Sequence, residues 1–304
     1  MSQLVDFHTH FFSRSFFDAL NAASPLPGDP ESRLQGVIAR LQVELPPEDP
    51  RLLADRWLEQ MDRHDVQHMV SFASLPVEAQ SVLQAVKHAD GRLTGFVMLD
   101  PTQGADPAQL DALFGSGGFK GALFFPALHG YDIDGPELAA VLERLQAHGT
   151  LALVHCGMLR IGLRDAFGLP KQFAIHRANP LNLIPVADRF ASLRFIIPHF
   201  GAGFFRETLM AGAQCENIHV DTSSSNNWIQ TQPRHMTLAD VFERSLAVFG
   251  PKRLLFGTDS SVFPRGWRRD VLTAQREALG ACGLSDAERS LILGGNARRL
   301  LGIA

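Results

Sequence analysis

The sequence predicts an α/β protein built as a closed (β/α)8 TIM barrel, and three observations carry that prediction. Short apolar runs alternate with amphipathic stretches over nearly the whole chain, the runs number eight, and histidines and aspartates recur where the runs end. Strands that read as continuous apolar segments with helices between them belong to a parallel sheet covered on both faces. Eight such units in 304 residues suit one barrel. A doubly wound open sheet is the alternative. It normally carries a Gly-rich phosphate turn after its first strand, and Asp6-Phe7-His8-Thr9-His10 is nothing like one. The chain is therefore read as a single barrel domain over 1–304, with a long insertion at about 13–50.

The first strand is Leu4–His8. The stretch that follows holds Pro25, Pro27, Gly28, Pro30, Pro46, Pro47 and Pro50, which predicts mainly loop with some helix within Ser32–Val43. A long insertion after a first strand is either a disordered excursion or a wall of a binding site. Arg51–His64 has Leu52, Leu53, Trp57, Leu58 and Met61 at helical spacing. The alternation then runs through strands at Gln67–Ala73, Leu93–Leu99 and Gly121–Phe125, with helices at Val77–Ala89, Pro107–Phe114 and Pro136–His148 between and after them. It continues with strands Leu151–His155, Arg194–His199, Ile218–Thr222 and Arg253–Thr258. The matching helices are Leu181–Phe190, Phe204–Gln214, Leu238–Phe249, Trp267–Ala281 and Asp286–Leu301.

In such a barrel the C-terminal strand ends form the active face. Residues two apart on a strand share a face, so His8 and His10 project together. Alone, the pair is either half of a metal site or one surface histidine beside a hydrogen-bonded one. The later ends add His155 on the fifth strand, His199 on the sixth, Asp221 on the seventh and Asp259 on the eighth. Imidazoles and carboxylates from five separate strands on one face are hard to read as isolated hydrogen-bonded residues. Asp259, in Thr-Asp-Ser, is also a candidate helix N-cap, and Asp221 is expected to support other groups.

Composition narrows the class of function. The chain is 45% hydrophobic and 20% charged with a net charge of -4, which disfavours nucleic acid or an anionic membrane as principal partner. The N-terminus lacks a basic region followed by an apolar run, and no apolar stretch reaches membrane-spanning length. Cys156, Cys215 and Cys282 are sparse and odd in number, which fits a reducing cytoplasm.

The motifs resemble those of the metal-dependent amidohydrolase superfamily, and more closely its amidohydrolase-2 branch, which includes aminocarboxymuconate-semialdehyde decarboxylase and related hydrolases. The matching pieces are Asp-Phe-His-Thr-His at 6–10, Phe-Lys-Gly-Ala-Leu-Phe-Phe-Pro at 119–126, Val-His-Cys-Gly at 154–157 and Ile-Pro-His-Phe-Gly at 197–201. Phe-Gly-Thr-Asp-Ser at 256–260 and Gly-Asn-Ala-Arg-Arg-Leu-Leu-Gly at 295–302 complete the set, in the family's order. The resemblance implies that His8, His10, His155 and Asp259 ligate one divalent metal, most often zinc, with manganese or iron(II) as alternatives. It also implies that His199 is an uncoordinated catalytic histidine, that Asp259 doubles as a proton acceptor, and that a homodimer is to be expected. Binuclear relatives bridge two metals with a carbamylated lysine or a glutamate on the fourth strand. Here Lys120 lies at that strand's start, while Leu123, Phe124 and Phe125 occupy its end, so one metal is expected.

Three His nitrogens and a carboxylate suit zinc, and a metal position left open to water acidifies that water toward a pKa of ~7. Specificity falls to the loops. Arg160, Arg164, Phe167 and Arg177 follow the fifth strand, Ser223 to Asn227 and Trp228 the seventh, and Arg265 and Trp267 the eighth. Of these, Arg160, Arg164, Trp228 and Arg265 are the candidate substrate-binding residues, since arginines beside aromatics can clamp a carboxylate and cover a planar ring. The expected partner is a small molecule, an organic acid or lactone. The expected reaction is hydrolysis of a carboxylated cyclic ester or amide. The alternatives are non-oxidative decarboxylation of an aromatic or muconate-type acid, and a non-catalytic binding barrel.

Overall fold

The computed structural model describes residues 4–303 apart from 105, 116, 172 and 224–226. Eight strands form one parallel sheet in sequential order: β1 (Leu4–His10), β2 (Val66–Ala73), β3 (Leu93–Leu99), β4 (Gly121–Phe124), β5 (Leu151–Val154), β6 (Arg194–Ile197), β7 (Ile218–Asp221) and β8 (Leu254–Leu255). The sheet closes on itself. Phe7 N–H donates to the Phe256 carbonyl at 2.8 Å, His10 N–H to Ser260 at 2.8 Å, and Asp259 N–H to His8 at 2.9 Å. The α/β barrel class expected from the alternation is therefore the observed one.

Inside the barrel, Val5, Phe7, Val70, Phe72, Phe96 and Leu123 are buried against one another. Gly121 makes room in this layer, since a Cβ there would lie 2.4 Å from the Phe96 ring. A larger apolar layer joins the outer faces of the strands to the helices, with Trp57, Met61, Leu138, Leu142 and Phe242 at 1% exposure or less. Each such side chain contributes roughly 1.5–3 kcal/mol on burial.

Two differences from the expected elements bear on function. The ladder of β8 is two residues long rather than Arg253–Thr258. Phe256 N–H is taken by the Ile292 carbonyl at 3.0 Å, so the C-terminal segment holds what would have been the strand's continuation. The insertion is also not mainly loop. It forms α1 (Arg14–Ala22) and α2 (Pro30–Leu41) before α3 (Pro50–Arg63). Pro30 does not break a helix because it opens one. Its missing N–H falls where no partner exists anyway, and the Asp29 carboxylate caps Ser32 N–H at 2.9 Å. Phe16, Phe17, Leu20, Leu34, Val37 and Ile38 of these helices pack on Phe167 and Leu169 from the loop after β5, forming a separate apolar cluster over the barrel mouth.

Candidate metal centre and active site

The mouth of the barrel gathers the predicted groups onto one face. Alternation along β1 is broken by a register shift between Asp6 and Thr9. Phe7 stays in the barrel interior and Asp6 turns to the β8 side. There it accepts from Thr258 N–H at 3.1 Å and from the Trp267 indole N–H at 2.7 Å. Trp267 is thus a buried seam residue and not a cover for a ligand. Burial pushes the Asp6 carboxyl up to about 6 against these donors.

His8 and His10 reach the cavity, and their rings lie 5.4 Å apart. Asp259 Oδ1 stands 3.2 Å from His10 Nε2 and 3.6 Å from His8 Nε2. One ligand atom from each of these three residues lies within 4.8 Å of the others, the compactness a single metal ion needs. Burial alone raises the Asp259 carboxyl, but His10, His8 and His199 outweigh it and hold the group well below the usual carboxylate range. Gly257 is required by this packing, since a Cβ there would sit 2.8 Å from the Cβ of His8.

A second compact group is His8, His199 and Asp221. Here the contacts are hydrogen bonds between side chains. Asp221, fully buried, accepts from His8 Nδ1 at 2.5 Å and from the hydroxyl of Ser223. Its carboxyl is lowered: burial opposes ionisation, and His8 overcomes it. In return His8 is raised, with burial opposing and Asp221, Asp259 and Asp6 favouring the charged form. Because the Ser223 hydrogen goes to Asp221, Ser223 Oγ accepts from His199 Nδ1 at 2.8 Å. Both His8 and His199 thus have Nδ1 engaged by the protein, which leaves Nε2 for another partner. This is the support that metal-ligating imidazoles receive in general. Asp221 holds the supporting place expected of it.

His199 lies on a turn of unusual backbone. His199, Phe200, Gly201 and Ala202 have φ of 55°, 54°, 87° and 42°, four consecutive residues in the left-handed region. Three of them are not glycine, and each costs on the order of 1–3 kcal/mol. Gly157, after β5, lets this turn approach. A Cβ there would meet the Gly201 carbonyl at 2.2 Å. Burial, then His8, keeps His199 neutral.

His155 is brought to the same face but outside the compact trio. Its ring lies 5.3 Å from that of His199 and stacks on Phe125 at 5.3 Å. Burial, followed by His199 and His8, lowers its pKa well below the ordinary histidine value. Among the described residues its buried Nδ1 has no hydrogen-bond partner. A buried imidazole nitrogen left without a partner at the same mouth is free for one more bond, and with His8, His10 and Asp259 the donor set fits a divalent ion.

A cavity of about 340 Å³ opens above these groups. Arg160, Arg164 and Arg265 line it as expected. Arg160 is at its rim, 79% exposed and 3.7 Å from Asp165. Arg265 bonds Ser261 at 2.8 Å. Arg164 is half-buried, its Nε has no partner among the described residues, and burial lowers its pKa. Trp228 is a correction: it is buried in the core against Phe205 (5.4 Å) and Phe200 (6.3 Å) and is not part of the described cavity wall. Its apolar ring found a protein partner before it could meet a ligand. Arg177 pairs with Asp132 at 2.6 Å, and Phe167 belongs to the cluster over the mouth. Ser224, Ser225 and Asn226 lie outside the described residues.

Two contributors escaped the sequence reading. Ser74 Oγ lies 2.6 Å from His10 Nδ1. Glu78, fully buried, accepts from Ser74 N–H and Ser13 N–H, each at 2.8 Å. Ser74 follows the apolar run of β2, so a search of that strand end for polar groups could have found it. Glu78 carried no such signal.

A parallel eight-stranded barrel with converging histidines and aspartates at its C-terminal mouth defines the class, a (β/α)8 barrel with a candidate metal centre. The Amidohydrolase family model matches residues 5–303, and the chain belongs to that family. No curated protein matches the sequence significantly. Among solved structures, 5-carboxyvanillate decarboxylase from Sphingomonas paucimobilis is similar at 16% identity and TM-score 0.68, with 100% of each chain covered. A probable 2-pyrone-4,6-dicarboxylic acid hydrolase from Acinetobacter baumannii, with citric acid bound, is similar at 16% identity and TM-score 0.65, over 99% of this chain and 100% of that one. An amidohydrolase from Burkholderia multivorans with bound zinc shows 16% identity and TM-score 0.65, over 99% of both chains. At such identities the likeness is one of fold.

Proposed function

We propose that this chain is a metal-dependent hydrolase of a small, carboxylated cyclic ester or amide, using one zinc ion held by His8, His10, His155 and Asp259. The observation that carries the reading is Asp259, an ionised carboxylate held between His8 and His10 at the floor of the cavity. A metal bound there supplies Lewis acidity toward a carbonyl oxygen and acidifies a water. The chain's own groups do the rest. Asp259 accepts the proton of the attacking water as the new C–O bond forms. It then returns that proton to the ring oxygen or nitrogen as the scissile bond breaks. His199, neutral and with Nδ1 engaged by Ser223, offers Nε2 as an acceptor that orients the water. Arg164, half-buried on the cavity wall, would take the substrate carboxylate.

One metal rather than two follows from β4. Lys120 is exposed at its start, Leu123 lies in the barrel interior and Phe125 lines the cavity, so no bridging ligand is offered there. Metal analysis is expected to give one equivalent per chain, and two equivalents would refute this.

The second reading is decarboxylation of an aromatic acid. The apolar floor around the site favours it, with Phe72, Met98, Phe125 and Leu153 placed to hold a ring. There the C–C bond to the carboxylate breaks, carbon dioxide leaves, and a proton takes its place on the carbon. The same residues serve both reactions. A panel of lactones, cyclic amides and aryl acids, assayed in parallel for ring opening and for carbon dioxide release, decides between them. Ring opening supports hydrolysis. Carbon dioxide release alone overturns it in favour of the second reading, and neither overturns both.

A further inference from the structure

We propose that the cavity selects an acid with an unbranched apolar arm, and that α1 and the end of α2 form the subsite for that arm. The inference rests on the reading of the cavity as a substrate site and names the class of substrate it takes. All the lining residues contributed between 12 and 43 are apolar: Phe12, Phe16, Leu20, Leu41 and Val43. They lead away from the metal centre in order. Phe12 stacks on the His10 ring at 4.8 Å and 20°, and Phe16 stacks on Phe12 at 4.2 Å and 22°. Leu20 stands one helical turn further along α1, about 5–6 Å on.

Leu41 and Val43 line the cavity beside this row and are only partly buried. They pack on the cluster that holds Phe12, Phe16 and Leu20, and the part of their surface left open lines the cavity. The charged groups of the cavity, by contrast, come from the loops after β5 and β8 and from the metal centre itself. The site is thus polar at one end and apolar along its length. An acid head at the metal and Arg164 leaves a chain of methylenes as the group that runs past buried Leu20 and covers the part of Leu41 and Val43 still open to the cavity. A second carboxylate directed toward α1 would find no donor in the side chains of Phe12, Phe16, Leu20, Leu41 and Val43.

The test is isothermal titration of metal-loaded protein with benzoate and its 4-n-alkyl series, methyl to hexyl. Affinity is expected to rise about fourfold per methylene (about 0.8 kcal/mol) until the arm reaches Leu41 and Val43, then to level off. Leu20→Gln is expected to flatten the rise while leaving benzoate itself unaffected. Leu41→Gln, at a half-exposed position with less bearing on folding, is the second variant and should flatten only the longer members. The inference is overturned if no member binds, if Kd is the same from methyl to hexyl, or if a steep series persists in both variants. Its failure is separable from that of the proposed reaction. A steep series without ring opening or carbon dioxide release sinks the reaction alone, and lactone opening with a flat series sinks the arm subsite alone.

Discussion

Asp221 does not line the cavity, yet it decides which nitrogen two histidines present to it. Its Oδ2 fixes His8 directly, and its Oδ1, through Ser223, fixes His199. An asparagine keeps the shape but offers one acceptor oxygen where the carboxylate offers two. Either His8 or Ser223 then loses its partner, and the imidazole that depends on it is free to take the other tautomer. Asp221→Asn is expected to weaken metal affinity about 10–100-fold, as loss of a partner to a metal-bound histidine does. Competition with a chelator of known affinity measures it. An unchanged metal Kd would show that Asp221 only fills space. At this scale the sequence was legible for residues that end apolar strands, namely His8, His10, His155, His199, Asp221 and Asp259. It was not legible for Ser74 and Glu78, because a serine and a glutamate after a strand are ordinary turn residues until their partners are known.

The elements around the mouth are tied together by one buried carboxylate. Glu78 sits between β2 and the following helix, and it binds Ser13 at the foot of α1 and Ser74 and Leu75 after β2. Burial pushes its pKa up to about 7 despite four donors from the chain. A carboxyl raised from its ordinary 4.5 binds its proton more tightly when folded, so its contribution to stability is full below pH 4.5 and is lost as pH rises through about 7. Glu78→Gln cannot ionise. The stability difference, wild type minus variant, is therefore expected to fall between those two pH values by a few kcal/mol, about 1.4 for each tenfold difference in proton affinity between the folded and unfolded chain. Urea unfolding at several pH values reads it, and a difference independent of pH would refute the assignment. The same region shows why element reading failed in the insertion. Pro25, Pro27 and Pro30 look like breakers in a row, but Pro30 is the first residue of α2, and α1 is only nine residues long. A proline's effect depends on whether it falls at a helix's first turn or inside it, which composition does not reveal. Periodicity over longer helices, as in Arg51–His64, carried no such ambiguity.

At the scale of the whole molecule, the candidate metal centre lies across the seam of the barrel. His8 and His10 come from the first strand, and Asp259 follows the last. Among the described residues the protein's own bonds at that seam are few: beside a two-residue β8 there are an isolated bridge between Thr9 and Ser260, the Asp6 contacts and three backbone hydrogen bonds. Closing it joins segments about 250 residues apart in sequence, and the entropy lost on closure is offset only by the contacts made across the seam. A metal ligated from both sides would act as a clasp. Its removal is expected to lower stability by RT ln(1 + [M]/Kd), about 4 kcal/mol when free metal stands at 1,000 times Kd. That corresponds to a fall in Tm of several degrees for a chain of this size. The loss has a predicted location. Amide hydrogen exchange at Phe7, His10 and Asp259, whose N–H groups bridge β1 and β8, should accelerate on chelation more than exchange in β3 or β4. If chelation leaves Tm unchanged, or accelerates exchange evenly around the barrel, the metal is not a clasp. Chemistry and closure then reside in separate parts of the fold.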